Sequence, residues 1–244
     1  MDRLLRTTTP IKYPGYNHYD GHSTGFFHRT NHDLYLVTAR HCLFQSKHES
    51  KGPFKPNKIE IRVREKSQHR ETQSKRISLY KDTGERRWIE PHHHDVDVAV
   101  LPLDFSLRET GNTAFGSALF DVAYEPHLIT RPGQSAIVAG YPVLDRDTYS
   151  PVLRNALISS ALDVDFDSQP YFLVDSQLHP GTSGSPVLVR DIDEDNQVRF
   201  TVIGVHSGQY DLSAEGSENL NRVWFLKHLR DRLNDVEQGV LDQW

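Results

Sequence analysis

The chain is 244 residues long, 36% hydrophobic and 25% charged, with a net charge of -5 and one cysteine. That length suits a single β-rich unit with a core of its own, and the small acidic balance argues against a nucleic-acid footprint or a membrane surface. One cysteine excludes an internal disulfide framework, which points to a cytoplasmic setting. The first ten residues also lack the apolar stretch and cleavage site of a secretory leader, and no later segment is long and apolar enough to span a membrane.

Residues 1–19 are rich in Thr, Pro and Tyr without a clear period and read as an arm. Two apolar runs, 25–28 and 34–38, flank the polar Arg29-Thr30-Asn31-His32-Asp33, which is a hairpin pattern. The second run continues as Val37-Thr38-Ala39-Arg40-His41-Cys42, ending a strand on a histidine. Cys42 reads as a buried small hydrophobe rather than a nucleophile. Strand candidates follow at 58–64, with Ile59, Ile61 and Val63 on one face, and at 77–80. Residues 45–90 hold 13 Lys/Arg against 7 Asp/Glu. Stacking aromatics are nearly absent there, so the surplus reads as a solvated exterior and not a nucleic-acid site.

The run His92-His93-His94-Asp95-Val96-Asp97 contains zinc-ligand types, but neighbours in an extended strand face opposite ways and cannot converge on one ion. Neither a metal nor a cofactor is expected. Asp97 directly precedes the apolar Val98-Ala99-Val100-Leu101, with Asp95 as the alternative acid. Residues 104–120 read as a crossing between two halves, and 128–132 lead into a strand at 134–142. Further strands are expected within 150–162 and 169–174, and at 187–189 and 198–205. Residues 211–218 read as a connection, and Phe225, Leu226, Leu229, Leu233 and Val236 recur at helical spacing. No repeat, low-complexity tract or linker divides the chain.

The most informative stretch is His179-Pro180-Gly181-Thr182-Ser183-Gly184-Ser185-Pro186-Val187. A serine hydroxyl is a weak nucleophile at neutral pH and needs a base within reach and N–H donors for the developing oxyanion. Gly181 and Gly184 free the backbone to curl, so that the N–H groups of Gly181 and Ser183 can share one target beside the Ser183 hydroxyl.

Taken together, the Val-Thr-Ala-Arg-His-Cys, Asp-Val-Ala-Val-Leu, Gly-Thr-Ser-Gly-Ser-Pro-Val and Val202-Ile203-Gly204-Val205-His206-Ser207-Gly208 runs resemble trypsin-like serine proteases in content and order. Separations of 56 residues from His41 to Asp97 and 86 from Asp97 to Ser183 suit that family. The similarity is nearest to its glutamyl endopeptidase and high-temperature-requirement branches. It implies an all-β fold of two six-stranded antiparallel barrels with a C-terminal helix. The chain then forms one peptidase domain over 1–244, with barrels at about 12–110 and 118–225 and the helix at 226–244.

The resemblance further implies a Ser-His-Asp mechanism, with Ser183 as nucleophile, His41 as base, Asp97 orienting His41, and the Gly181 and Ser183 amides as oxyanion donors. Gln177, Leu178, His206, Ser207 and Gly208 fall at substrate-binding positions. Gln177 replaces the aspartate of the basic-residue pocket, which argues against Arg/Lys specificity. His206 matches the histidine that binds Glu or Gln side chains, although Leu178 replaces the threonine of the glutamyl enzymes. Thr182 replaces the aspartate that pairs with a cut N-terminus in digestive members, so the loop is already formed or is organised by substrate or a partner. The expected partners are a protein or peptide substrate and an activating sensor or adaptor protein. A non-catalytic scaffold on the same fold is the alternative. An α/β-hydrolase is disfavoured, since Ser185 replaces its second elbow glycine and the triad order differs.

Overall fold

The computed structural model describes residues 4–15, 21–30, 33–44, 55–66, 71–92, 95–108, 110–115, 131–143, 149–192, 196, 198–211, 219–226 and 233. Among the described residues, twelve strands account for nearly all of the regular structure. Six form one antiparallel sheet: β1 (Thr8–Lys12), β2 (His22–Arg29), β3 (Leu34–Thr38), β4 (Lys58–Arg64), β5 (Thr72–Ser78) and β6 (Ala99–Pro102), ordered β5-β4-β1-β2-β3-β6. The other six close into an antiparallel barrel, β10-β11-β12-β9-β8-β7: β7 (Ser135–Gly140), β8 (Val152–Ile158), β9 (Tyr171–Asp175), β10 (Pro186–Ile192), β11 (Val198–Gln209) and β12 (Leu220–Trp224). The fold is thus all-β, with the second half a closed barrel and the first an open six-stranded sheet curved around its own core.

Strand alternation explains the apolar runs. On β3, Leu34 and Leu36 enter the first core with Ile11, Ile59 and Leu101, whereas Tyr35 and Val37 enter a second cluster. That cluster also takes Phe26 and Val100 from the first sheet and Leu188, Val205 and Trp224 from the barrel, so it is the seam joining the halves. Val187, Val189, Ile203 and Val223 face the barrel's own core. Strands buried on both faces read as unbroken hydrophobic runs because neither face is free to be polar.

Three expected elements differ. The arm at the N-terminus contains β1, a strand inside the sheet between β2 and β4. Thr9 hides it: its hydroxyl donates to Arg62 O at 2.8 Å and accepts from Arg62 N–H at 2.9 Å, so a side chain takes over where the ladder to β4 lapses. The strand expected at 77–80 lies earlier, as β5, a polar edge strand held by its ladder to β4. Residues 220–224, inside the expected second barrel but not read as a strand, form β12 between β9 and β11. The expected helix lies outside the described residues, apart from Leu226 and Leu233. Both are buried in the seam, and Leu233 is helical. The expected lead-in at 128–130 and the stretch 116–120 of the crossing also lie outside the described residues.

Burial of imidazoles carries a pH cost. His28 on β2 is fully buried, and burial lowers its pKa to about 4 against a raising hydrogen bond from the Phe115 backbone. His206 on β11 is likewise pulled to about 4, chiefly by burial. Below about 6.5 the unfolded chain binds protons at both rings, while the folded chain does not until about 4. The contribution of these two rings to stability is therefore full above pH 6.5 and falls as the pH drops to 4, by on the order of 3 kcal/mol per ring. Urea unfolding at pH 7, 5.5 and 4 is expected to show this decline, with a shallower slope in His28→Leu.

Candidate active site

The antiparallel β3–β6 pairing sets Thr38 opposite Ala99. His41, three residues beyond Thr38, and Asp97, two residues before Ala99, therefore emerge at the same end of the pair. A 3-10 turn over Arg40–Cys42 aims the His41 ring, and Asp97 grips it at two points. The His41 backbone N–H donates to Asp97 Oδ1 at 2.9 Å, and Nδ1 lies 2.6 Å from Oδ2. This two-point hold fixes Nδ1 as the donor and leaves Nε2 free to take a proton. Burial acts to lower the His41 pKa, but electrostatic interactions and hydrogen bonds with the Cys42 and Asp97 side chains outweigh it and hold the ring well above 6.5. The ring keeps about a third of its surface exposed, at 34%. Asp95, the alternative acid, is exposed.

Ser183 comes from the other half, on the loop between β9 and β10. Gly181 (φ 95°) and Gly184 (φ 86°) both adopt the left-handed region. A Cβ on Gly181 would strike His22 Nε2 and the Tyr141 carbonyl, and one on Gly184 would strike the Thr24 carbonyl and the Thr38 hydroxyl. Among the described residues, the Gly181 and Ser183 amides donate to no protein acceptor, which leaves both available to an oxyanion. Ser183 is partly exposed, and its Oγ donates to Ser207 O at 3.2 Å. His41 Nε2 meets Cys42 Sγ at 3.7 Å, and Cys42 Sγ in turn approaches Ser183 O at 3.8 Å. Base, thiol and nucleophile loop are therefore contiguous across the seam, with the serine hydroxyl turned toward β11. Such hydrogen bonds between nucleophile and base often tighten only when substrate binds.

Ser185 has no comparable access. It is fully buried, its Oγ has no protein partner among the described residues, and it fills the space a Cβ on Gly140 would need.

Thr182 shows what organises this loop without an aspartate. Its hydroxyl donates to His179 O at 2.7 Å, and its carbonyl accepts from His206 Nδ1 at 3.0 Å. The two ladder bonds Gly184 N–H to His206 O (2.8 Å) and His206 N–H to Ser185 O (2.9 Å) complete the attachment to β11. Of the expected substrate-binding residues, Gln177 is exposed and holds Arg154 Nη2 through its carbonyl at 2.8 Å, whereas Leu178 is buried in the barrel core. His206 is buried beside Asn221. Ser207 anchors Trp224 Nε1 through its hydroxyl at 2.8 Å, and Gly208 faces open space. Among the described residues no cluster of three potential metal ligands exists, and His93 and His94 lie outside them.

Behind the loop stands a brace that hydrophobic patterning does not mark. Thr24 on β2 donates its N–H to Ser183 O at 2.8 Å and its hydroxyl to Gly181 O at 2.8 Å, and that hydroxyl accepts from Tyr141 N–H at 3.0 Å. Its carbonyl accepts from Thr38 Oγ1 at 2.7 Å, and nearby His22 Nε2 lies 2.5 Å from Tyr141 O. One threonine in a strand that also carries His22, Ser23, His28 and Arg29 leaves no distinct signal.

A model of the trypsin-like peptidase domain matches residues 23–198. The chain belongs to the trypsin-like peptidase family. A comparison with curated protein sequences finds no match. Among solved structures, the chain is similar to an inactive-form serine-to-alanine mutant of Rv3671c from M. tuberculosis H37Rv. The identity is 16% and the TM-score 0.51, over 96% of this chain and 88% of that one. It is also similar to a double mutant of human heparin binding protein, at 14% identity and TM-score 0.56, over 98% and 94% of the two chains. At such identities these likenesses speak to the chymotrypsin-like fold alone.

The two serine and threonine sites lead to opposite stability effects. Thr24→Val strands the Gly181 carbonyl and the Tyr141 amide and is expected to cost about 1–3 kcal/mol. Ser185→Ala removes a buried hydroxyl with no partner and is expected to be neutral or stabilising, within about 0.5 kcal/mol. Urea denaturation of both variants checks the contrast.

Proposed function

We propose that this trypsin-like peptidase is an active serine endopeptidase that cuts protein substrates through an acyl-enzyme, with Ser183, His41 and Asp97 as its triad. The observation that carries the reading is the two-point hold of Asp97 on His41, set beside a partly exposed Ser183 whose loop has two undonated amides. Ser183 Oγ rotates from Ser207 O toward His41 Nε2 and attacks the substrate carbonyl carbon as Nε2 takes its proton. The Gly181 and Ser183 amides hold the resulting oxyanion. His41 returns the proton to the departing amine, and water, deprotonated by the same nitrogen, then releases the acyl group.

At the residue before the cut, the reading favours Gln and Glu, in keeping with the resemblance to glutamyl endopeptidases. His206 is neutral at pH 7, and its Nδ1–H is committed to Thr182 O, so Nε2 is an acceptor. An amide side chain supplies the matching donor and a carboxylate does not, so Gln is preferred over Glu at neutral pH. A cytoplasmic regulatory role under a sensor or adaptor protein belongs to the same reading, supported by the single cysteine and the loop's independence from a cut N-terminus. Among the described residues, no helix is long and apolar enough to cross a membrane. The alternative, a non-catalytic scaffold, draws on the Ser183 hydroxyl facing Ser207 O instead of His41.

A peptide library digested at pH 7.5, with its products sequenced, tests the reading. Cleavage concentrated after Gln, absent in Ser183→Ala and reduced on the order of 10⁴-fold in Asp97→Asn, is expected. Because His41 must be neutral to act as base and its pKa is raised, activity is expected to climb with pH through a limb above 6.5. No cleavage by folded wild type would favour the scaffold.

A further inference from the structure

Among the described residues, five of the 13 basic residues between 45 and 90 sit in ion pairs. Arg62 and Arg76 both reach Glu60, at 3.6 and 3.3 Å, Lys81 pairs with Glu85, Arg86 with Glu90, and Arg87 with Asp104. Lys66, Lys75 and Arg108 differ. Among the described residues none of them forms an ion pair, and all three are exposed. They also line one concavity of about 860 Å³, formed by the end of β4, edge strand β5 and the loop after β6.

We propose that this concavity is a docking site, apart from the candidate active site, for an acidic protein segment bearing an apolar side chain. The lining has two complementary parts. Buried Val63 and half-buried Phe105 supply an apolar surface, and the Lys75 ammonium lies 5.9 Å from the Phe105 ring centroid. The one carboxylate in the lining, Glu65, accepts from the Gln73 amide at 2.9 Å and offsets one of the three cations, so the lining stays net positive. Arg64 adds structure rather than reach, since it is buried and its Nη2 donates to Tyr149 O at 3.1 Å.

A carboxylate-rich segment meets three cations against a single carboxylate, and an apolar side chain among its acids covers Phe105. A nucleic-acid strand fits less well, because successive bases need a row of stacking platforms and this site offers one ring. The protein carries -5 overall, so this patch stands out against an acidic remainder and selects its partner by sign. The site is defined by binding alone and stands whether or not Ser183 is a nucleophile.

The test uses a fluorescein-labelled twelve-residue peptide of Glu and Asp with one central Phe, titrated by anisotropy into full-length wild type and Ser183→Ala in 50 mM salt. Saturable binding to both proteins is expected, weakened about tenfold by Lys75→Glu and by Arg108→Glu. Phe105→Ala should weaken this peptide but not a version lacking the Phe. Arg131→Glu, an equal charge change at an exposed residue of the other half, should leave binding unchanged. Circular dichroism and urea midpoints confirm that each variant is folded. Three results would overturn the proposal: no binding by wild type, equal loss in Arg131→Glu, or tighter binding of a labelled single-stranded oligonucleotide through the same residues.

Discussion

The Thr24 amide on β2 donates to the Ser183 carbonyl across the seam, and the geometry of the candidate site depends on that bond. His41 and Asp97 belong to the first sheet and Ser183 to the barrel. Their registration therefore requires the two halves to meet in one relative position. The seam of Phe26, Val37, Val100, Leu188, Val205 and Trp224 supplies the apolar area but little direction, because hydrophobic contact is nearly isotropic. Direction comes from Thr24, which holds the carbonyls of both Gly181 and Ser183 from the first sheet. With those carbonyls turned back toward β2, the loop is held against the first sheet.

The loop's second support comes from the barrel itself. Where digestive relatives use a buried carboxylate paired with a new N-terminus, this chain has Thr182, tied to His179 and to the His206 ring. A neutral hydrogen-bonded staple avoids the desolvation cost of a buried ion pair. The pKa of the His206 ring that holds the loop is pulled down to about 4, chiefly by burial, so a residue that shapes the site is also one of those that make the fold acid-sensitive. Cys42, between His41 Nε2 and Ser183 O, is buried as a small hydrophobe should be, yet it also contributes to the raised basicity of the histidine.

Much of the architecture was legible because strands buried on both faces leave continuous apolar runs. The stretches around Val37, Val100, Val189 and Val205 each marked a strand, and three of them led to or from a residue of the candidate site. The choice of Asp97 over Asp95 likewise rested on adjacency to an apolar strand, and the β3–β6 register places Asp97 against His41. What escaped notice was held by interactions that hydrophobic pattern does not encode. β1 carries Thr8, Thr9 and Pro10, and its attachment to β4 uses the Thr9 hydroxyl. β5 is polar because it is an edge, and β12 was masked by the helical spacing that begins at Phe225. The Thr24 brace was invisible for the same reason, since one hydroxyl making two long-range hydrogen bonds leaves no period in a sequence.

Mass spectrometry of the full-length protein after treatment with a fluorophosphonate tests the central claim, that Ser183 is an activated nucleophile, most directly. The account predicts a single phosphonyl adduct on the peptide spanning the loop, lost in Ser183→Ala and retained in Ser185→Ala. A folded protein that stays unmodified, or an adduct that survives Ser183→Ala, would contradict it.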